Sequence, residues 1–321
     1  MSPSWQARAI AVGVRVLIRR RSWGPERRLT ARARRLFGAP RPWQWIRCRG
    51  LEIRAVSAGS VRGEWLLPEV ADPGAILYVH GGGYVSCSPA THRPITAALA
   101  RYARRPVFSL AYRLAPEHRF PAALDDTVRA YRWLLEEGFP AHTIALAGDS
   151  AGGGLVLAAL MRVREAELPG PACAVCFSPW TDLTGESPSN RLNDGRCAMF
   201  RPENIGQFAA AYLGSASSAD PYASPVLGDL RGLAPLLLQV GSTELLLDDA
   251  RRVHQKVQAG GGVSVLQVFE DVIHCWQMLD GVLPEARRAL QQAADFVRAG
   301  TVPAIGRPDP AAAHRTEGRR R

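Results

Sequence analysis

The stretch Gly148-Asp149-Ser150-Ala151-Gly152-Gly153 constrains this chain more than any other. It lies between an apolar run, Thr143 to Ala147, that reads as a buried strand and a run from Leu155 to Glu167 that reads as a helix. A turn tight enough to hold Ser150 at strained backbone angles needs neighbours without bulk, and Gly148, Gly152 and Gly153 supply them. The serine hydroxyl is then lifted above the sheet edge. Its position at a helix N-terminus also aims backbone N–H groups and the positive end of the dipole at the place where an oxyanion would form. Any small-residue strand-to-helix turn satisfies the same pattern. A chemical reading therefore needs a base, an acid and a second set of oxyanion donors from elsewhere in the chain.

A second glycine run meets the last requirement. Ala75 to Val79 is a continuous apolar run suited to a strand buried on both faces, and His80-Gly81-Gly82-Gly83-Tyr84 follows it directly. Three consecutive glycines cost backbone entropy on folding, so the backbone there must bend unusually or approach another group closely. The expected role is that the N–H groups of Gly82 and Gly83, with that of Ala151, hold the negative oxygen of a tetrahedral intermediate.

A serine hydroxyl is a weak nucleophile until a base takes its proton, and around an elbow of this kind the partners follow in the order Ser, acid, His. Downstream of Ser150 the histidines are His254, inside a charged helical run, His314, in the C-terminal tail, and His274, in a loop just after the last strand. His274 is the expected base. The acid should follow the preceding strand, where Gly241 to Asp249 offers Glu244, Asp248 and Asp249. Glu244 is nearest the strand end and is favoured by position. Asp248 and Asp249 come a turn later, where they can cap the following helix.

The remaining periodicity gives the scaffold. Short apolar runs at 51–56, 63–67, 75–79, 106–112, 143–147, 172–178, 236–240 and 263–269 read as eight strands, and helical runs at 92–103, 122–137, 155–167, 250–259 and 284–298 separate them from residue 75 onward. That alternation implies an α/β domain with a mainly parallel sheet and helices on both faces. Between about 184 and 222 regular periodicity lapses, apart from an apolar segment at 205–213; an insertion of this length is more often a functional cover than a loop. Residues 1–46 read as two amphipathic, Arg-rich helices around Gly24-Pro25, and residues 300–321 as a disordered tail. The expected organisation is thus 1–46 as an N-terminal helical segment, 47–183 and 223–299 as two parts of one core, 184–222 as the insertion and 300–321 as the tail.

Net charge narrows the partners once it is mapped. Of the formal +11, residues 1–54 carry fourteen Arg against two Glu and the tail carries five Arg against two acids, which leaves the body mildly acidic. A basic groove for nucleic acid through the core is excluded on that ground. The basic N-terminal helices can either pack on the body or rest on anionic lipid. Six cysteines are too few for a disulfide framework, and Cys173 and Cys176 lie three apart in a strand, facing opposite sides, so neither a metal nor a redox pair is expected. No Cys/His/Asp cluster has metal-ligand spacing, and no cofactor is expected. The apolar stretch 10–18 has its charges after it, not before it, so no signal peptide is read, and reduced thiols point to the cytoplasm.

Four motifs in order, His80 to Gly83, Tyr112 to Pro121 with its continuation through Asp126, Gly148 to Gly153, and Gly241 to Asp248, resemble the hormone-sensitive-lipase family of α/β-hydrolases, in particular its bacterial carboxylesterases, over roughly residues 50 to 299. The resemblance implies an α/β-hydrolase fold with Ser150 as nucleophile, His274 as base and acid, and Gly82, Gly83 and Ala151 as oxyanion donors. The family commonly has Asp where this chain has Glu244, with a second Asp at the place of Asp248; some members resemble this one in using Glu. The resemblance further implies that residues 1–46 and 184–222 form a helical cap, that pairing as a homodimer through the last strand occurs in many members, and that the substrate is a small ester or lactone. Tyr84, Trp180, Phe200, Phe208 and Trp276 are the candidates for an apolar substrate pocket. Two other readings share these residues: an amidase or acyltransferase using the same triad, and a small-molecule receptor on the same fold, which should lack a triad member.

Overall fold

Alternating strand and helix build one sheet. The computed structural model describes residues 3–20, 23–40, 44 and 46–301; His314 and the expected tail beyond Thr301 lie outside the described residues. The strands are β1 (Leu51–Ala58), β2 (Val61–Pro68), β3 (Ala75–Val79), β4 (Val107–Leu110), β5 (Ile144–Asp149), β6 (Cys173–Phe177), β7 (Leu236–Gly241) and β8 (Ser264–Phe269), in the order β1-β2-β4-β3-β5-β6-β7-β8. β2 pairs antiparallel with both β1 and β4, and every pairing from β4 through β8 is parallel. The helices are α1 (Trp5–Val14), α2 (Glu26–Phe37), α3 (Pro89–Ala103), α4 (Ala122–Glu136), α5 (Ala151–Glu165), α6 (Pro188–Leu192), α7 (Pro202–Leu213), α8 (Leu247–Ala259) and α9 (Pro284–Thr301).

The central strands read as unbroken apolar runs because both faces are covered. Residues of β3, β5, β6 and β7 are buried throughout, yet they alternate between two cores. Leu77, Val79, Leu146, Cys176 and Leu238 join α4 and α5, while Ile76, Tyr78, Ala145, Val175 and Leu237 join α3 and α9. Cys173 and Cys176 fall on opposite faces by the same alternation.

The elbow helix begins earlier than the sequence implies. Three glycines are poor helix formers, so residues 152–154 read as turn; instead they form the first turn of α5. Packing overrides propensity here. A Cβ on Gly152 would lie 2.0 Å from the Val79 carbonyl oxygen, and one on Gly154 would lie 2.2 Å from that of Trp180. Absence of side chains lets the helix start against the backbone of β3. Gly152→Ala is accordingly expected to cost about 3 kcal/mol, read as a lower urea midpoint, since the obstructing atom is strand backbone and cannot move aside. An unchanged midpoint would mean that helix and strand are further apart than described.

The stretch where periodicity lapsed contains α6 and α7, and it is joined to the N-terminal segment. Arg15 donates to the carbonyl oxygens of Gly195 at 2.9 Å and Arg196 at 2.7 Å, and Arg19, on a wider π-type turn that continues α1, pairs with Asp194 at 2.7 Å. Arg34 of α2 donates twice to Glu117, at 2.8 and 2.6 Å. That guanidinium holds the Glu117 carboxyl well down, at about 2, so the pair stays ionised at any pH near neutrality. Some of the N-terminal arginines are therefore structural ties to the body.

Candidate active site

The carboxyl ends of β5, β7 and β8 converge on one rim, and each brings one group of a line. Ser150 sits at φ 53° and ψ −120° between β5 and α5, a left-handed conformation that a non-glycine residue adopts only under constraint. Its backbone is held on both sides: Ser150 N–H donates to the Phe177 carbonyl at 2.8 Å, and Trp180 N–H to the Ser150 carbonyl at 2.9 Å. The Ser150 hydroxyl oxygen lies 2.9 Å from His274 Nε2. His274 Nδ1 lies 2.5 Å from Glu244 Oε2, with both side chains buried. Glu244 in turn accepts at Oε1 from the Ser178 hydroxyl at 2.7 Å and from Gly241 N–H at 2.6 Å. A carboxylate fixed at three points can hold the imidazole in one orientation, with Nδ1 as donor and Nε2 free to take the serine proton.

Gly241 explains how a glutamate fits. A Cβ at that position would lie 3.0 Å from Glu244 Oε1 and 2.9 Å from the Val272 carbonyl, so glycine leaves the space into which the longer side chain folds back. The other two acids have different partners. Asp248 pairs with Arg251 at 3.1 Å one turn along α8. Asp249 accepts from the N–H groups of Thr181 at 2.7 Å and Asp182 at 2.9 Å, fixing the loop that carries Trp180; burial pushes its carboxyl up to about 7. His254 bonds Ser264 at 3.0 Å, away from this line.

The glycine run lies beside the serine. Gly82 (φ 113°) and Gly83 (φ 62°) are both in the left-handed region, and a Cβ would strike the Ser86 carbonyl at 2.3 Å or the Phe208 ring at 2.7 Å respectively. Ala151 opens α5, whose first-turn N–H groups have no partner within the helix. Glycine loop and helix start are joined through Asp149. Its carboxylate accepts from Tyr78 OH at 2.6 Å, from Gly81 N–H at 2.9 Å and from His92 Nε2 at 3.2 Å. Burial would raise this carboxyl, but the neighbouring His92, its hydrogen bond and that of Tyr78 outweigh burial and hold it well below the usual carboxylate range. His80 stacks on Tyr112 with ring centroids 4.3 Å apart, and burial, with His92 nearby, pushes its imidazole down to about 3. A neutral, packed His80 shapes its loop and takes up no proton near neutrality.

A cavity of about 310 Å³ opens over Ser150. Of the five aromatic residues expected there, Trp180, Phe200 and Phe208 line it. Tyr84 and Trp276 do not, and this corrects the sequence reading. Tyr84 stacks flat on Tyr212 at 3.7 Å in the core, and Trp276 is fully buried against Phe269 at 4.9 Å. Sequence reasoning missed the rest of the wall. Ile10, Val14, Leu36 and Phe37 come from the N-terminal helices and Met199 and Ile205 from the insertion, and Gln44, Cys87, Thr91, His92, Cys275 and Met278 also line the cavity. Helical periodicity marks the first group as apolar, but nothing local says which face meets the cavity. Burial pushes the Cys87 thiol up to about 12 and that of Cys275 well above its ordinary range, so both are neutral wall and not nucleophiles. Among the described residues there is no group of three or more His, Cys, Asp or Glu that could hold a metal ion, and no helix is long and apolar enough to cross a membrane.

Comparison with known proteins agrees with this architecture. A family model described as the alpha/beta hydrolase fold matches residues 76–278. An acetyl-hydrolase of Streptomyces hygroscopicus is 44% identical over 246 residues, covering 77% of this chain and 82% of that protein. An esterase of Acinetobacter venetianus is 34% identical over 247 residues, covering 77% and 82%. Among solved structures, an esterase from the bacterial hormone-sensitive lipase family is 38% identical, with a TM-score of 0.84 over 94% of this chain and 100% of its own. The esterase EstE5, soaked with p-nitrophenyl butyrate, is 36% identical with a TM-score of 0.85 over 93% and 99%. On sequence and backbone alike, this chain belongs to the hormone-sensitive-lipase family of α/β-hydrolases.

Proposed function

We propose that the protein is a serine carboxylesterase for small esters and lactones, with Ser150 as nucleophile, His274 as general base and then acid, and Glu244 as the acid that orients it. The carrying observation is the unbroken line from Glu244 Oε2 to His274 at 2.5 Å and from His274 to the Ser150 hydroxyl at 2.9 Å, at the floor of an apolar cavity. Ser150 attacks the ester carbonyl as its proton passes to His274 Nε2, and the negative oxygen turns toward the N–H groups of Gly82, Gly83 and Ala151. The imidazolium, steadied by Glu244, returns the proton to the departing alcohol and leaves an acyl-serine. Water, deprotonated by His274, then releases the acid. The names of the relatives, acetyl-hydrolase and esterase, support the same chemistry. A non-catalytic receptor would have no use for the complete line.

We read residues 1–46 and 184–222 as a cap, on the support that Val14, Phe37, Phe200 and Phe208 all border the cavity. Pairing as a homodimer through β8 is supported by its place at the end of the sheet and by the exposed Val265 and Val268 on it. The six described cysteines are all free thiols, which supports a cytoplasmic site of action.

A cavity of about 310 Å³ is at the small end for an organic ligand, and that size sets the test. Across p-nitrophenyl esters from acetate to decanoate, kcat/KM should be highest from acetate to butyrate and fall by about tenfold or more at decanoate. A rate that climbs steadily to decanoate, or no hydrolysis by folded protein at any length, would sink the reading.

A further inference from the structure

Helix α1 is apolar on two sides. Its inner side, Ala7, Ile10 and Val14, packs with Phe269, Val272, Ile273 and Trp276, and Ile10 and Val14 also line the cavity. On the outer side Trp5, Ala9 and Val12 follow at steps of four and three residues, the spacing of a single helical stripe, and Val16 extends the exposed apolar surface on the π-type turn that continues α1. Trp5 is 76% exposed, Val12 64% and Val16 52%. A helix apolar all round is ordinarily buried all round, and a continuous exposed apolar stripe marks a contact surface.

Charge says what the contact is with. No acidic residue occurs before Glu26. Arg15 and Arg19 are turned onto the insertion, but Arg8, which neighbours both Trp5 and Val12 on the helix, and Arg20, four residues after Val16, are exposed. Neither has a carboxylate within salt-bridge distance among the described residues, and the same holds for the exposed Arg27, Arg28 and Arg35 of α2. An apolar stripe with tryptophan at one end and arginines along its margin is the composition of a helix that lies in the interface of an anionic bilayer, its arginines reaching up to phosphate.

We propose that α1 and the π-type turn that continues it dock this protein on an anionic lipid surface, with Trp5, Val12 and Val16 among the acyl chains and Arg8 and Arg20 on the headgroups. The opposite side of the same helix borders the cavity, so docking brings the site within about one helix diameter, roughly 10 Å, of the lipid. An apolar ester dissolved in the membrane then has a short path to Ser150. The docking surface itself does not depend on the catalytic reading.

The test is co-sedimentation of the full chain with vesicles of phosphatidylglycerol and phosphatidylcholine, and with phosphatidylcholine alone. Binding should need phosphatidylglycerol and weaken with salt. The variant carrying Trp5→Ser, Val12→Ser and Val16→Ser should bind at least about tenfold more weakly, and the Arg8→Gln, Arg20→Gln variant should fall to the level seen without phosphatidylglycerol. Both should hydrolyse soluble p-nitrophenyl acetate at the wild-type rate, which shows that they fold. Ser150→Ala should bind vesicles as the wild type does, so loss of the esterase reading would leave this one standing. Sedimentation that ignores phosphatidylglycerol, or is unchanged in the triple serine variant, overturns the proposal. So does a dimer that the triple variant dissolves in the absence of any vesicle binding, which would give the stripe to a second copy of the chain.

Discussion

Ser150→Ala is expected to lower kcat/KM for p-nitrophenyl acetate by about 10⁶-fold, and His274→Gln by nearly as much, with the double variant little worse than either. The non-additivity follows from the geometry. The serine hydroxyl is 2.9 Å from His274 Nε2 and the imidazole is held from its far side, so each residue is useful only while the other is present. A hydroxyl without a base is a poor nucleophile, and a base beside a methyl group has no proton to take. Residual acceleration should survive in all three variants, about 10³-fold over water, because the N–H groups of Gly82, Gly83 and Ala151, proposed above as oxyanion donors, would still stabilise the negative carbonyl oxygen whichever nucleophile attacks. Steady-state rates and the pre-steady-state burst of p-nitrophenol report the two parts separately: the burst should vanish with Ser150. If Ser150→Ala kept more than about a hundredth of the rate, another group would be the nucleophile.

How much of this was legible in the sequence depended on how local each feature was. The elbow is strand, turn and helix within some twenty residues, so Gly148, Ser150 and Gly152 announce it at fixed spacing. Even there propensity alone places the helix start too late, because it counts Gly152 to Gly154 as breakers while the approach to Val79 requires them. His274 and Glu244 could be chosen because parallel strands deliver their following loops to one rim. The substrate wall is the contrary case. Gln44, Cys87, Met199 and Met278 stand on four separate segments and share no pattern.

Trp276 shows how adjacency in sequence misleads. It follows His274 by two residues, yet Cys275 between them takes the left-handed conformation, φ 53° and ψ 42°, and the tryptophan sits in the Phe269 core while His274 meets Ser150. His92 is a further case. It reaches Asp149 from fifty-seven residues away, and as one histidine in a helical run it had no feature to distinguish it from an ordinary core residue. Only packing shows that it braces the carboxylate that joins glycine loop to elbow.

Glu244→Gln should lower kcat by about 10⁴-fold while Asp248→Asn stays within about twofold of the wild type. Both residues lie at positions where the family resemblance implies acids, and the sequence favours Glu244 only by its nearness to the strand end. In the structure Glu244 takes His274 Nδ1 at 2.5 Å, and Asp248 is occupied with Arg251 at 3.1 Å on the surface of α8. Glutamine keeps the size and can still accept from Gly241 N–H, so the loop should remain folded. It can also turn its NH₂ toward Nδ1, which would place the imidazole proton on Nε2, facing Ser150, where a base is needed. The loss therefore belongs in kcat, with KM little changed. Asp248→Asn removes an exposed pair of one turn's spacing, worth about 0.5 kcal/mol of stability. Glu244→Asp discriminates further. The Ser178 hydroxyl at 2.7 Å and Gly241 N–H at 2.6 Å are set for the length of glutamate, so aspartate should recover only part of the activity despite its full charge. Full activity in Glu244→Gln with loss in Asp248→Asn would transfer the role to Asp248.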